Sequence, residues 1–160
     1  MGTRFPDQKD FSCFFVTTTF FNWQALGKAG GLYESMADSL RFCARKYNAE
    51  LSGYVFMPTH IHLLIFIDGA NIAAFMRNFK KYVAQKIIPE LKIETEKVWK
   101  KGFDRVAIET ETVFRVKLEY IHNNPVIAGE VSNPEDWKWS SARAYFTDDQ
   151  GIIPIFKDWT

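Results

Sequence analysis

With 160 residues, 47% of them hydrophobic and 16% aromatic, the chain has the apolar material for one folded domain and is too hydrophobic to be an unfolded one. Its net charge of +1 is too small to mark a nucleic-acid or membrane-surface protein by itself. Two cysteines, Cys13 and Cys43, without C-x-x-C spacing exclude a disulfide scaffold; they read as reduced core thiols and imply an intracellular, cytoplasmic setting.

Met1 to Asp10 is polar and lacks the basic-then-apolar layout of a signal peptide. Phe11 to Phe20 reads as a first strand, and with Thr17, Thr18 and Thr19 in it the stretch is too short and too polar to span a bilayer. After the Gly27, Gly30 and Gly31 loop, Leu32, Met36, Leu40, Cys43 and Tyr47 recur at three- and four-residue steps, which predicts an amphipathic helix. Ala49 to Phe56 and Ile61 to Ile67 follow as two strands of a hairpin joined by Met57-Pro58-Thr59. Asn71 is placed to cap a helix from Ile72 to Ile87 that buries Phe75, Met76, Phe79 and Val83 and ends at Pro89.

That helix carries Arg77, Lys80 and Lys81 on its outer side. Charge divides unevenly along the chain: residues 1–76 balance, 77–101 carry +5 and 102–160 carry −4. The basic stretch suits a phosphate-contacting surface, or equally a solvated helix face. Residues 90–101 read as a polar, mobile connection, and 103–109 as a short strand. A helix from Thr110 is expected to stop at Asn124, because Pro125 disfavours helical geometry in the residue before it. A tail at about 130–160, with Pro134, Trp137 and Trp139 and a short helix near 141–146, completes a single domain spanning residues 1–160. The order strand, helix, strand, strand, helix, strand, helix predicts an α+β fold, an antiparallel sheet with helices packed on it.

Two features carry chemistry. His60 and His62 lie near the start of the third strand, and strand periodicity puts both on one face with Ile61 opposite. Two of the three histidines of the chain meet there, the arrangement a divalent metal needs for two of its ligands. The last long helix has a core stripe of Phe114, Leu118 and Ile121 and a second stripe of Val113, Val116, Tyr120 and Asn124, as if packed on both sides. Tyr120 and Asn124 lie one turn apart, a phenol that can act as a nucleophile and an amide oxygen that can ligate a hard cation. Each has a plain reading when taken alone: two half-buried strand histidines, a packed aromatic, a helix terminator. Together they make a three-donor site with a tyrosine beside it, as single-strand DNA cleavage by a tyrosine requires.

The stretch 53–65, Gly-Tyr-Val-Phe-Met-Pro-Thr-His-Ile-His-Leu-Leu-Ile, resembles the histidine-hydrophobe-histidine segment of the IS200-like transposases. Residues 120–129, Tyr-Ile-His-Asn-Asn-Pro-Val-Ile-Ala-Gly, resemble their tyrosine helix. The tail, with Pro134-Glu135-Asp136-Trp137 and Trp139-Ser140-Ser141-Ala142, is similar to that of the REP-associated tyrosine transposases, and the likeness runs from about Phe14 to Tyr145. Ile127 and Glu130 depart from it, standing where relatives carry an aromatic or a basic residue.

The resemblance implies a ferredoxin-like central antiparallel sheet carrying the His pair, with the tyrosine helix beside it. It implies that Tyr120 attacks a phosphate of single-stranded or stem-loop DNA, leaving a 5′-phosphotyrosine and a free 3′-OH, and that rejoining needs no ATP. His60, His62 and Asn124 would hold Mg²⁺ or Mn²⁺, although imidazole donors by themselves favour Mn²⁺ or Zn²⁺. Asn123, three residues from Tyr120, is a weaker third ligand, and His122 lies off the Tyr120–Asn124 line. Arg77, Lys80 and Lys81 would contact DNA, and the tail points to a monomer rather than a homodimer. Two other classes compete: a hairpin-DNA binder that has lost its chemistry, and a hydrolase using water on a small phosphodiester.

Overall fold

A computed structural model describes residues 8–159; part of the polar N-terminal segment weighed above, residues 1–7, lies outside them. Strand β1 (Cys13–Thr19) leads through two short turns into helix α1 (Leu32–Lys46). Strands β2 (Glu50–Phe56) and β3 (His60–Phe66) form the expected hairpin, followed by α2 (Ile72–Tyr82). Strand β4 (Asp104–Ala107), helix α4 (Glu111–Ile127) and α5 (Ala142–Phe146) complete the order. The sheet runs β2-β3-β1-β4 with every pair antiparallel, the strand order of a ferredoxin-like α+β fold. Among the described residues no helix is long and apolar enough to cross a membrane.

Strand alternation sorts the side chains to two faces. Ile61, Leu63 and Ile65 of β3 join α1 and α2 in the larger core, with Met36, Leu40, Phe75 and Phe79. Leu64 meets Phe15 and the α4 residues Phe114, Leu118 and Ile121 on the other face. Helix α4 approaches β2 closely because Gly53 lies beneath it: a Cβ there would stand 2.8 Å from Leu118 Cδ1. Cys13 and Cys43 are free and buried.

Several boundaries differ from the sequence expectation for identifiable reasons. Past Tyr82 the helix widens into a π turn, Val83–Ile87, and continues as α3 (Ile88–Glu90), so Pro89 sits inside the final turn instead of stopping it. Helix α4 likewise runs through Pro125 to Ile127. It ends at a glycine cap: Gly129 (φ 78°) donates to the Val126 carbonyl at 3.0 Å and Glu130 to that of Pro125 at 2.9 Å. Asn71 occupies the N-cap position of α2 but makes no side-chain cap bond. The 90–101 connection is anchored, because Val98 and Trp99 are buried and the Val98 carbonyl accepts from Phe21 N at 2.9 Å. The second stripe of α4 is not packed: Val113, Val116 and Tyr120 are exposed, since only the first stripe faces the core, and the end of the second, Tyr120 and Asn124, borders an open cavity.

The tail fastens onto β2 and α4. His122 Nε2 lies 2.8 Å from Ser141 Oγ, and the Tyr54 amide donates to that hydroxyl at 3.0 Å. Trp137 Nε1 donates to the Phe56 carbonyl at 3.0 Å. His122 is therefore a buried structural residue turned away from the Tyr120 side of its helix.

Candidate functional site

A cavity of about 590 Å³ is lined by Phe15, Thr17, Trp23, His60, His62, Lys117, Tyr120 and Asn124. It holds four of the residues singled out in the sequence, drawn from β3 and α4. A larger groove of about 720 Å³ runs between α1 and α2, lined by residues such as Phe42, Lys81 and Tyr82 and remote from the histidines.

The four side chains come together because β3 and α4 share one face of the sheet. The His60 and His62 rings lie 4.7 Å apart, and the Tyr120 ring stands edge-on to His62 at 5.3 Å and to Phe15 at 6.0 Å. Tyr120 is 46% exposed, so its hydroxyl is reachable from solvent, whereas His62 is only 5% exposed. One helical turn on, half-buried Asn124 lines the same cavity beside His60. Asn123 makes no contact that places it nearer.

Each imidazole is oriented through one nitrogen. Thr17 Oγ1 lies 2.9 Å from His62 Nδ1, and Thr59 Oγ1 lies 2.9 Å from His60 Nδ1. His62 Nε2 is buried with no hydrogen-bond partner. A buried polar atom without a partner is costly, and a bound cation is one way to satisfy it. Burial, followed by the nearby charges of His60 and Lys117, pushes His62 down to about 3, against a hydrogen bond to the Val16 backbone. Burial also lowers His60, opposed by the Asn124 hydrogen bond. Both rings are uncharged at neutral pH, the form that ligates metal. Among the described residues no cluster of three His, Cys, Asp or Glu converges; the side chain that joins the His pair at this cavity is the Asn124 amide. Two neutral imidazoles, one with an orphaned nitrogen, and a neighbouring amide oxygen fit a divalent cation.

The basic residues on α2 are placed differently. Helix α2 packs on the sheet face opposite the His pair, with Arg77 and Lys81 exposed there. Lys80 is engaged: its Nζ donates to the carbonyls of Lys100 (3.2 Å) and Gly102 and lies 5.6 Å over the Trp99 ring, and burial lowers its pKa. The cation beside the cavity is Lys117, whose Nζ sits 4.8 Å over the Phe15 ring. Its position three residues before Tyr120 is a signal in the sequence. Thr17, Thr59 and Trp23 carry none, because their roles depend on strand register and loop geometry.

A family model described as "Transposase IS200 like" matches residues 24–124, a span that includes His60, His62, Tyr120 and Asn124. No curated protein matches this chain. Among solved structures, a REP-associated tyrosine transposase bound to a REP hairpin is similar with a TM-score of 0.71 at 21% identity, over 93% of this chain and 85% of that one. A candidate transposase from Deinococcus radiodurans R1 is similar with a TM-score of 0.51 at 21% identity, over 69% of this chain and 88% of that one. At such identities the two structures speak for the fold, and the matched span speaks for the family.

Proposed function

This chain belongs to the IS200-like transposase family, and from that premise we propose that it cleaves and rejoins single-stranded or stem-loop DNA, with Tyr120 as the nucleophile. The observation that carries the reading is the convergence of exposed Tyr120, the His60–His62 pair and Asn124 on one cavity, with His62 Nε2 unpartnered.

In the proposed reaction the Tyr120 hydroxyl oxygen attacks the scissile phosphorus while the bond from phosphorus to O3′ breaks. The phenol proton passes to water, and the departing O3′ takes one up and leaves as a 3′-OH. The product is a 5′-phosphotyrosine, one phosphodiester exchanged for another, so a second 3′-OH can reverse the step without ATP. His60, His62 and Asn124 would hold Mg²⁺ or Mn²⁺, which when bound neutralises charge on the phosphate oxygens. Thr17 and Thr59 fix the two rings, and Phe15 supports the edge of the tyrosine. Lys117 supplies a positive charge on the same wall, and exposed Arg77 and Lys81 contact DNA that extends around the molecule.

The test is incubation with end-labelled stem-loop DNA and Mn²⁺, resolved on a denaturing gel. A protein–DNA band is expected that requires the metal and vanishes in Tyr120→Phe. Cleavage without that band would assign the chemistry to water. Binding without cleavage would leave a DNA-binding protein.

A further inference from the structure

The wall of the cavity opposite Tyr120 contains a residue that the reaction above does not use. Trp23 lines the cavity edge-on to His60, with ring centroids 6.1 Å apart. Trp23, His60, His62 and Tyr120 thus form a row of four rings, with the nucleophile at one end and the indole at the other.

Trp23 is placed at a cost. It is 62% exposed, so most of its apolar surface faces water. Its backbone is left-handed, φ 54°, as is that of Asn22 before it. Asn adopts this conformation readily; for a bulky aromatic it is an outlier of the kind that collects at functional sites. The turn is nonetheless rigidly held. Phe20 N donates to the Thr59 carbonyl at 3.0 Å, Trp23 N to that of Phe20 at 3.1 Å, and Gln24 Nε2 to that of Lys97 at 2.6 Å. Beneath it Phe20 stacks on Trp99 at 4.6 Å. The fold therefore spends backbone strain to hold an indole in solvent beside the cavity.

We infer that Trp23 is a stacking platform for an unpaired nucleobase of the strand flanking the scissile phosphate. The inference rests on the DNA-cleaving reading above and adds to it a subsite for a base. A flat, exposed aromatic with few rotamers to lose takes a base face at little entropic cost, and stacking of this kind tolerates any base. Lys117, which lines the same cavity, supplies a cation for a phosphate of that strand. The stacked base lies within a few nucleotides of the cleaved bond, because only the two histidine rings separate Trp23 from Tyr120.

The test measures binding of fluorescein-labelled single-stranded DNA carrying a stem-loop with unpaired flanks, in a Tyr120→Phe background so that nothing is cut. A series of the same DNA has one abasic residue moved along each flank. Trp23→Asn, which suits the left-handed backbone, is expected to bind intact DNA about 5- to 100-fold more weakly. Its melting temperature should equal or exceed that of the parent, and Trp23→Phe should recover most of the binding. At one flank position the abasic DNA should bind the parent as weakly as intact DNA binds Trp23→Asn, with no further loss when the two changes are combined. Binding by Trp23→Asn within twofold of the parent overturns the inference. So does a loss that is equal and additive at every abasic position, or a lowered melting temperature that Trp23→Phe restores without restoring DNA affinity. If the parent binds none of these DNAs, the DNA-cleaving reading itself fails, and the stacking subsite with it.

Discussion

Thr17 and His62 are register partners on β1 and β3, and the threonine hydroxyl stands 2.9 Å from the imidazole Nδ1. That contact engages one nitrogen of a ring that lines the cavity, and the other nitrogen is buried without a partner. Partners of this kind set the tautomer and orientation of a ligating histidine, and losing them typically costs about 10- to 100-fold in metal affinity. Thr17→Val keeps the side-chain shape and removes the hydroxyl. It is expected to weaken Mn²⁺ binding, read by calorimetry or by the paramagnetic signal of the free ion, about tenfold with little change in melting temperature. Affinity equal to wild type would show that the hydroxyl does not set the ring.

Gly53 governs how closely the tyrosine helix approaches the sheet. A Cβ at this position meets Leu118 Cδ1 at 2.8 Å, Ile121 Cδ1 at 3.4 Å and Leu64 Cβ at 3.5 Å. Gly53→Val is expected to wedge α4 outward and cost about 1–3 kcal/mol in urea unfolding, as overpacked cores do. Because Tyr120 and Asn124 move with the helix, adduct formation should fall by more than the lost folded fraction accounts for. A variant as stable and as active as the parent would show that α4 sits more loosely than this packing implies.

Acid should loosen the tail through His122. Burial holds this imidazole down at about 4, against an ordinary value of 6.5. Between those two values the unfolded chain takes up a proton that the folded chain refuses, so stability falls as the pH is lowered through that window. The full loss from this residue is on the order of 3 kcal/mol. His62, held at about 3, contributes with the same sign over a wider window. Chemical denaturation at about pH 7, above this window, and about pH 4.5, near its lower end, should show a smaller drop in His122→Gln than in the parent. Equal drops would mean that His122 is protonated without unfolding.

The basic residues of α2 should separate into two kinds. Lys80 spans from its helix to the Lys100 and Gly102 carbonyls, so Lys80→Met is expected to lower stability by about 1 kcal/mol. Arg77→Ala and Lys81→Ala should leave stability alone. If they contact DNA, each should weaken binding alike for all sequences and reduce the salt dependence by about one phosphate contact. Salt slopes unchanged by both would remove this face from the DNA path.

The parts of the site that depend on short-range periodicity are legible in the sequence. His60 and His62 share a face because strands repeat every two residues, and Tyr120 and Asn124 share a stripe because four residues nearly close a helical turn. That these two pairs face one another follows from α4 packing on β3, which the family resemblance implies and the structure displays. The threonine partners are not legible, because Thr17 meets His62 only through a register across 45 residues of chain. The two prolines mislead for a local reason. Pro89 follows a widened turn, and Pro125 sits in the last turn of α4, which a glycine closes four residues later; neither feature shows in the residue before the proline. Trp23 is unpredictable in principle, since its left-handed backbone contradicts its own preference.

The tail has one more effect, on assembly. β2 is an outer strand of the sheet, and its outward amides and carbonyls are the groups another chain would have to capture. Phe56 N already donates to the Trp139 carbonyl at 2.8 Å, Ser141 N donates to that of Tyr54 at 3.0 Å, and Phe156 N donates to that of Leu51 at 2.9 Å. Tyr145 Oη caps the Ser52 carbonyl at 2.6 Å. With these groups consumed within the chain, a second copy cannot extend the sheet from this side. The four-residue β4 is the only sheet margin left among the described strands, and it is too short to template much. The same segment that braces the tyrosine helix thus protects the fold from strand-to-strand aggregation.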